Sequence, residues 1–359
     1  MKRSRKLLSL LLAATMTVSM AATASAAFSD FTDVKGHWAE KTLNQAYSDG
    51  ILKGSGSKTM SPNSSVTTAQ VVTMLCRAFQ VTGQGDTPPL QIPQGAWYTQ
   101  DAAKAVYAGL LDNRDAGQLD QSISRKDAFI LFDKAFQIAE AQPDLTVLDQ
   151  FPDAASLTGQ SQRAAAALVE AGIVSGSDGK LQIDRPLTRA EFATILYRLA
   201  DQYISAAAFT GHTGAGSVLS GDADLSGVQM GTIWFDQSAS NIRLTDVTAK
   251  QVTVRSDQLT SLAISGTGEI SRLVLAARSG DIMLDLPDSC PVSTVSVGDG
   301  SGTISFSGTT SAMEITGQHR TVNVNCSLDT LVISGSDCSV TVKKGCSIRN
   351  LTVLGTGNT

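Results

Sequence analysis

From Phe28 to about Tyr203 the chain states one helical unit three times, and a repeat at this interval commits the segment to copies of a single fold packed on one another. The first copy reads FTDVKGHWAEKTLNQAYSDGILKG, a polar loop, then SPNSSVTTAQVVTMLCRAF. The third reads FPDAASLTGQSQRAAAALVEAGIVSG and then LQIDRPLTRAEFATILYRLADQY. Each predicts a turn, a helix, a Gly-Ile break, a loop and a second helix opened by a capping box, Thr67 with Gln70 in one and Thr188 with Glu191 in the other. Phe31 and Asp33 match Phe151 and Asp153, Gly50-Ile51 match Gly172-Ile173, and Gly54 matches Gly176. Between them lies a worn copy, WYTQDAAKAVYAGLLDN and SISRKDAFILFDKAF, in which Trp97 precedes Gly109 as Trp38 precedes Gly50. The worn copy lacks the Asp and the His, and the third copy carries Gln160 where the others have Trp.

One residue of the box is left over by this reading. Thr188 and Glu191 start a helix, but Arg189 between them is a cation at the positive end of the helix dipole and gains nothing there. The same position holds Arg125 in the second copy and Thr68 in the first.

These stretches resemble the S-layer homology domain, whose pattern runs Phe-x-Asp-Val, His-Trp-Ala, Gly-Ile and Thr-Arg-Ala-Glu. The resemblance covers about half of the chain. It implies three helical units about a pseudo-threefold axis that anchor an exported protein non-covalently to secondary cell-wall polysaccharide, often pyruvylated, in a Gram-positive-type envelope. It also implies grooves between units in which the Arg of the box, the Asp of Phe-x-Asp and the Trp contact saccharide. Carried onto this sequence, those residues are Asp33, Trp38, Trp97, Arg125, Asp153 and Arg189, with one or two competent grooves expected, not three. Arg189 would then offer a planar fork to a carboxylate beside helix N-terminal amides. The plainer readings stand beside these: Trp38 and Trp97 as core aromatics, His37 as a structural hydrogen-bonder, Asp33 and Asp153 as turn caps, Arg189 as a solvated cation.

The first residues, MKRSRKLLSLLLAATMTVSMAATASA, combine a basic start, an apolar run and an Ala-Ser-Ala ending, and predict a cleaved secretory leader over 1–26. Losing its four cations takes the formal charge from −5 to −9. So acidic a chain without a basic run is a poor partner for nucleic acid, and any anionic ligand must be held by a few placed cations. No later stretch approaches the roughly 20 apolar residues of a transmembrane anchor.

After Tyr203 the helical period stops, and AAAFTGHTGAGSVLSGDADLSG reads as a linker. From Gly231 apolar pairs spaced by one residue recur about every ten residues, from Ile242 with Leu244 to Leu351 with Val353, with Gly, Ser, Asp or Asn between. That predicts short strands with one buried face, stacked as a β-solenoid, with a sandwich as the rival. Two strands per coil give a period near twenty, which places Cys326 and Cys346 at equivalent points of neighbouring coils, within reach of a disulfide.

The expected organisation is therefore multidomain: a leader over 1–26, an all-α module with units over 28–86, 87–142 and 148–204, a linker over 205–230, and an all-β solenoid over 231–359. Asp222, Asp236, Asp281 and Asp337 are scattered without a catalytic pattern, and Ser-Gly-Asp-Ala-Asp around Gly221 lacks the glutamate that closes a calcium loop, so no enzyme, cofactor or metal is expected. The function read from sequence is wall anchoring of a display module, with self-association through the strand-rich half. The alternative is a wall-anchored carbohydrate-active enzyme or adhesin.

Overall fold

The computed structural model describes residues 27–81, 92–112, 118–277, 280–289, 292–300 and 302–359; residues 1–26, where a leader is expected, and Cys290 lie outside the described residues. Six α-helices come first among the described residues: α1 (Glu40–Ser48), α2 (Thr68–Ala78), α3 (Thr99–Tyr107), α4 (Arg125–Phe136), α5 (Gly159–Glu170) and α6 (Arg189–Leu199). Gly50, Gly109 and Gly172 end the first helix of each unit with φ of 70°, 72° and 69°, the left-handed conformation glycine adopts without cost.

The three units close on one another. Val66 N–H donates to Leu187 O (2.9 Å), Leu187 N–H to Ile123 O (3.0 Å), and Ile123 N–H to Val66 O (3.0 Å), a ring of three backbone bonds about the pseudo-threefold axis. The first helix of each unit packs on the second helix of another: α1 on α6, α3 on α2, α5 on α4. The core of this module is alanine-rich and aromatic, with Phe79, Phe129, Phe132, Phe136 and Phe192 all sealed from solvent.

Sixteen strands follow among the described residues: β1 (Gln202–Ser205), β2 (Ser217–Ser220), β3 (Ala223–Ser226), β4 (Gln229–Phe235), β5 (Asn241–Thr245), β6 (Thr248–Val254), β7 (Ser261–Ser265) and β8 (Ile270–Leu275), then β9 (Ile282–Leu286), β10 (Val292–Val297), β11 (Thr303–Gly308), β12 (Thr310–Ile315), β13 (Thr321–Val324), β14 (Leu328–Ile333), β15 (Ser339–Val342) and β16 (Ile348–Val353). All pairings are parallel. One sheet runs β1-β2-β4-β6-β8-β10-β12-β14-β16, and the opposite face is built from β3-β5-β7 and β9-β11-β13-β15. This is a β-solenoid of about eight turns with a single apolar column between its faces. The expected pairs sit in register: Val252 beside Leu273, Leu273 beside Val295, Val295 beside Met313, Met313 beside Leu331 and Leu331 beside Leu351.

The segment 205–230, expected to be a linker, supplies β2, β3 and the start of β4 instead. Its small polar residues are those of tight solenoid turns, and the apolar positions Val218, Leu219 and Leu225 between them are buried. At one corner the turns stack on glycine: a Cβ on Gly335 would lie 1.8 Å from Gly317 O, and one on Gly355 would lie 1.9 Å from Gly335 O, so no side chain fits there. At the last coil Leu351 and Val353, in register with the buried Leu331 and Ile333, are exposed.

The two modules join through the C-terminal end of α4, whose last carbonyls have no backbone donor within the helix. Trp234 Nε1 donates to Phe136 O (2.6 Å). Arg255 donates from Nη1 to Lys134 O (2.7 Å) and Ala135 O (3.0 Å), and from Nη2 to Ala108 O (3.3 Å). Arg272 donates to Gln137 O and Ala139 O, both at 3.1 Å. Cations at a helix C-terminus also face the negative end of its dipole.

Candidate functional site

The second helices of the first and third units open on a capping box and that of the middle unit on a Ser124 cap, and these starts do more than begin a helix. Thr188 Oγ1 accepts from Glu191 N (3.2 Å) while Glu191 Oε2 accepts from Thr188 N (2.9 Å). Thr67 and Gln70 make the same reciprocal pair at 3.2 and 3.1 Å. The next two amides are taken by a neighbouring unit. Arg189 N and Ala190 N donate to Ser64 O and Pro62 O, Arg125 N and Lys126 N to Arg185 O and Ile183 O, and Thr68 N and Ala69 N to Gln121 O and Leu119 O. These helix starts therefore hold the ring closed, and the amides expected beside Arg189 for an anion are already spent on loop carbonyls.

The leftover arginines follow the same direction. Arg189 is 8% exposed and donates from Nε to Met60 O (2.7 Å) and from Nη2 to Lys53 O, both in the loop of the first unit. Arg125 is 7% exposed and donates from Nε to Leu181 O (2.9 Å), the matching carbonyl of the third unit. Asp33 accepts from Met60 N (2.9 Å) and Ser61 N (2.7 Å), and Asp153 from Leu181 N (3.0 Å) and Ile183 N (3.3 Å). Each Asp thus fixes the loop that its neighbour's arginine grips; Asp33 is the opposite charge that acts on Arg189, whereas for Arg125 it is Glu191 first, with Asp153 a weaker contributor. Neither arginine is a solvated cation. Each keeps one terminal nitrogen, Nη1 of Arg189 and Nη2 of Arg125, without a hydrogen-bond partner among the described residues.

Trp38 and Trp97 are not core aromatics: they are 65% and 61% exposed. Trp38 and Arg125, from the first and second units, meet in a cavity of about 220 Å³ walled by the third unit through Gly176, Glu191, Thr194 and Arg198. The pseudo-threefold relates Trp97, two residues ahead of α3, to Trp38, and Arg189, Gln70 and Arg77 to Arg125, Glu191 and Arg198. The third groove, about 340 Å³, has Gln160, Thr68, Asp127 and Lys134 at those places, with Lys134 paired to Asp112 at 2.9 Å. It carries neither indole nor arginine at these places and adjoins a cleft against the solenoid that includes Asp299 and His319. His37 is a structural hydrogen-bonder, between Ala39 N and Asn63 Oδ1.

The two sets of corresponding residues differ in charge. Burial alone would raise the Glu191 carboxyl, yet Arg185, the Thr188 amide and Arg125 more than offset it and hold Glu191 below the usual range. Arg125 is bonded to Glu191 at 3.0 Å, so its charge is compensated. The Arg189 groove has neutral Gln70 in that place. Burial would likewise raise Asp33, and the Met60 and Ser61 amides hold it low.

Lowered folded-state values mean that both carboxylates stabilise the fold fully above their unfolded pKa, about 4. That stability is lost as pH falls through the lower folded values. Glu191→Gln is therefore expected to flatten the fall in Tm on the acid side of about pH 4, read by calorimetry across pH; an unchanged acid limb would show that Glu191 does not contribute.

Sequence reasoning missed Trp234, Arg255 and Arg272. Their only signal was an aromatic and two cations beside or within strands of small and β-branched residues. The acids of the solenoid are coil-to-coil ties. Asp222 accepts from Ser240 N and Asn241 N, Asp281 from Thr303 N, and Asp299 from Gln318 N, each one coil apart, while Asp236 is buried among Ser220 and Ser238. Cys326 and Cys346 are free thiols.

The S-layer homology domain model matches residues 30–72 and 150–193, which are the first and third units. The model described as Toastrack DUF4097 matches residues 215–331, most of the solenoid. Two stretches of the helical half are thus similar to S-layer homology repeats, which fits a cell-wall-associated surface protein, and neither matched model describes a catalytic family. The chain is 24% identical over 198 residues to the surface-layer 125 kDa protein of Lysinibacillus sphaericus, covering 52% of this chain and 16% of that protein. It is 27% identical over 204 residues to the S-layer protein sap of Bacillus anthracis, covering 55% and 25%. An amylopullulanase of Thermoanaerobacterium thermosulfurigenes is 25% identical over 177 residues, covering 48% and 10%, through the repeat region. The chain thus spans a quarter or less of these relatives. No helix among the described residues is long and apolar enough to cross a membrane.

Proposed function

We propose that the helical module tethers this protein to the cell wall by binding anionic secondary polysaccharide, of the pyruvylated kind, in the two grooves that hold both an indole and an arginine. The middle unit, residues 87–142, is on this reading a worn S-layer homology repeat that contributes Trp97 to one groove and Arg125 to the other. The observation that carries the reading is the meeting of exposed Trp38 with the free edge of Arg125 in one cavity walled by a third unit. An indole face packs on the apolar side of a sugar ring, and a guanidinium edge takes a carboxylate through paired N–H donors. The Arg189 groove, with Gln70 instead of a carboxylate, is the stronger anion site of the two. The solenoid is then the displayed part, held to the helical module by its own Arg255 and Arg272, which bond carbonyls at and just beyond the end of α4.

The test is co-sedimentation of the purified chain with cell-wall sacculi before and after chemical stripping of the secondary polysaccharide. Binding that disappears with the polymer is expected. Equal binding to stripped sacculi, or none to intact ones, would overturn the proposal.

A further inference from the structure

We propose that Cys326 and Cys346 are a cross-linking site, oxidised by a donor disulfide to an intrachain bridge that clasps the last coil of the solenoid to the coil beneath it. β14 and β16 pair with Leu328 beside Ile348, so residues two positions upstream fall side by side. The contact is continuous through that stretch: Leu328 N donates to Ser347 O (2.9 Å), Ser347 N to Ser327 Oγ (3.0 Å), and the two serine hydroxyls lie 3.4 Å apart. Neighbouring coils at strand spacing, about 4.8 Å, lie inside the Cα separation a disulfide spans.

The other described cysteines are placed differently. Cys338 is buried with its thiol on Gly317 O (3.2 Å), and Cys76 is buried between α2 and α3 with its thiol on Asp101 O (3.5 Å). Cys326 and Cys346 are only half-buried and within reach of a donor. The coil they would secure is the one with exposed Leu351 and Val353. A cell-surface protein meets an environment in which disulfides persist.

In the reaction one thiolate attacks a sulfur of the donor RS–SR and expels RS⁻, leaving a mixed disulfide. The second thiolate attacks the protein sulfur and expels the other RS⁻, so the protein loses two protons and two electrons and the donor becomes two RSH. Burial and the neighbouring Cys346 push the Cys326 thiol up to about 11. The bridge should therefore form slowly at neutral pH and faster as pH rises, by up to about tenfold per unit as the thiolate fraction grows.

The experiment incubates the full chain with oxidised glutathione at several pH values, quenches in acid, alkylates under denaturing conditions and measures intact mass and non-reduced tryptic peptides. The expected result is a fall from five alkylated cysteines to three and a cross-linked peptide joining Cys326 to Cys346. After tryptic cleavage at Lys343 or Lys344, the C-terminal piece should stay attached until reduction. In Cys326→Ser and Cys346→Ser the remaining partner should carry alkyl or glutathione, and Cys338→Ser should bridge as the parent does. Full alkylation of both cysteines after oxidation, stable glutathione on either in the parent, or a bridge from either to Cys290 would overturn the proposal.

Discussion

Replacing Trp38 and Trp97 together by alanine should release the protein from sacculi while leaving its melting temperature where it was. Both rings are more than half exposed, so their loss removes little buried area and opens no cavity. Their worth lies in stacking against a ligand, and two aromatic anchors truncated in separate grooves should weaken binding on the order of 100-fold, about 2.7 kcal/mol. Arg189→Ala is expected to do the opposite first. It strips hydrogen-bond donors from Met60 O and Lys53 O and leaves Asp33 without its cation, so the module should melt earlier whether or not ligand is present. Sedimentation isotherms with scanning calorimetry on the same samples separate the two. A double tryptophan variant that binds as the parent does would make the indoles bystanders.

The contrast between the tryptophans and Arg189 also shows where sequence reading reached its limit. The boxes at Thr67 and Thr188 were legible because capping is local: the residues that bond are three apart. The solenoid was legible because its register repeats, so Leu331 and Leu351 announce their own pairing. The destination of Arg189 was not legible, since its partners Lys53 and Met60 are 136 and 129 residues away and lie across a unit boundary. A box arginine pointing at ligand and one pointing at a neighbouring loop have the same spelling. The glycines and serines of 205–230 misled for a related reason: tight coil turns and flexible linkers draw on the same small residues, and only the buried Val218, Leu219 and Leu225 tell them apart. Trp234, Arg255 and Arg272 were invisible as an interface because outward positions of a strand reveal nothing of what lies against them.

Arg255 is where the second large effect is expected. Its guanidinium is fully enclosed, stacked 5.6 Å from the Phe79 ring, and bonded to three carbonyls that belong to the helical module. Burial pulls it down to about 10, which still leaves it charged at neutral pH. Two of the three carbonyls, Lys134 O and Ala135 O, are in the last turn of α4, where no intrahelical donor is available. Arg255→Met keeps the apolar stem but leaves Ala135 O without a donor in a closed interface, with Lys134 O holding only the Gln137 side-chain amide (2.9 Å). Part of the loss is offset because a buried charge no longer needs to be held, so the net cost should be about 3 kcal/mol. For a chain of 359 residues unfolding as one unit, that corresponds to a fall in Tm of roughly 4 °C. More telling than its size is its form. With Arg255 in place, the helical ring and the solenoid share an interface and should unfold together; without it, calorimetry should resolve two transitions, and amide exchange should quicken at Phe136 and Gln137 while the column of Val295 and Met313 stays protected. Arg255→Lys retains the charge but not the planar fork, and should recover only part of the coupling. A single unshifted transition in Arg255→Met would mean that Trp234 and Arg272 hold the modules together without it.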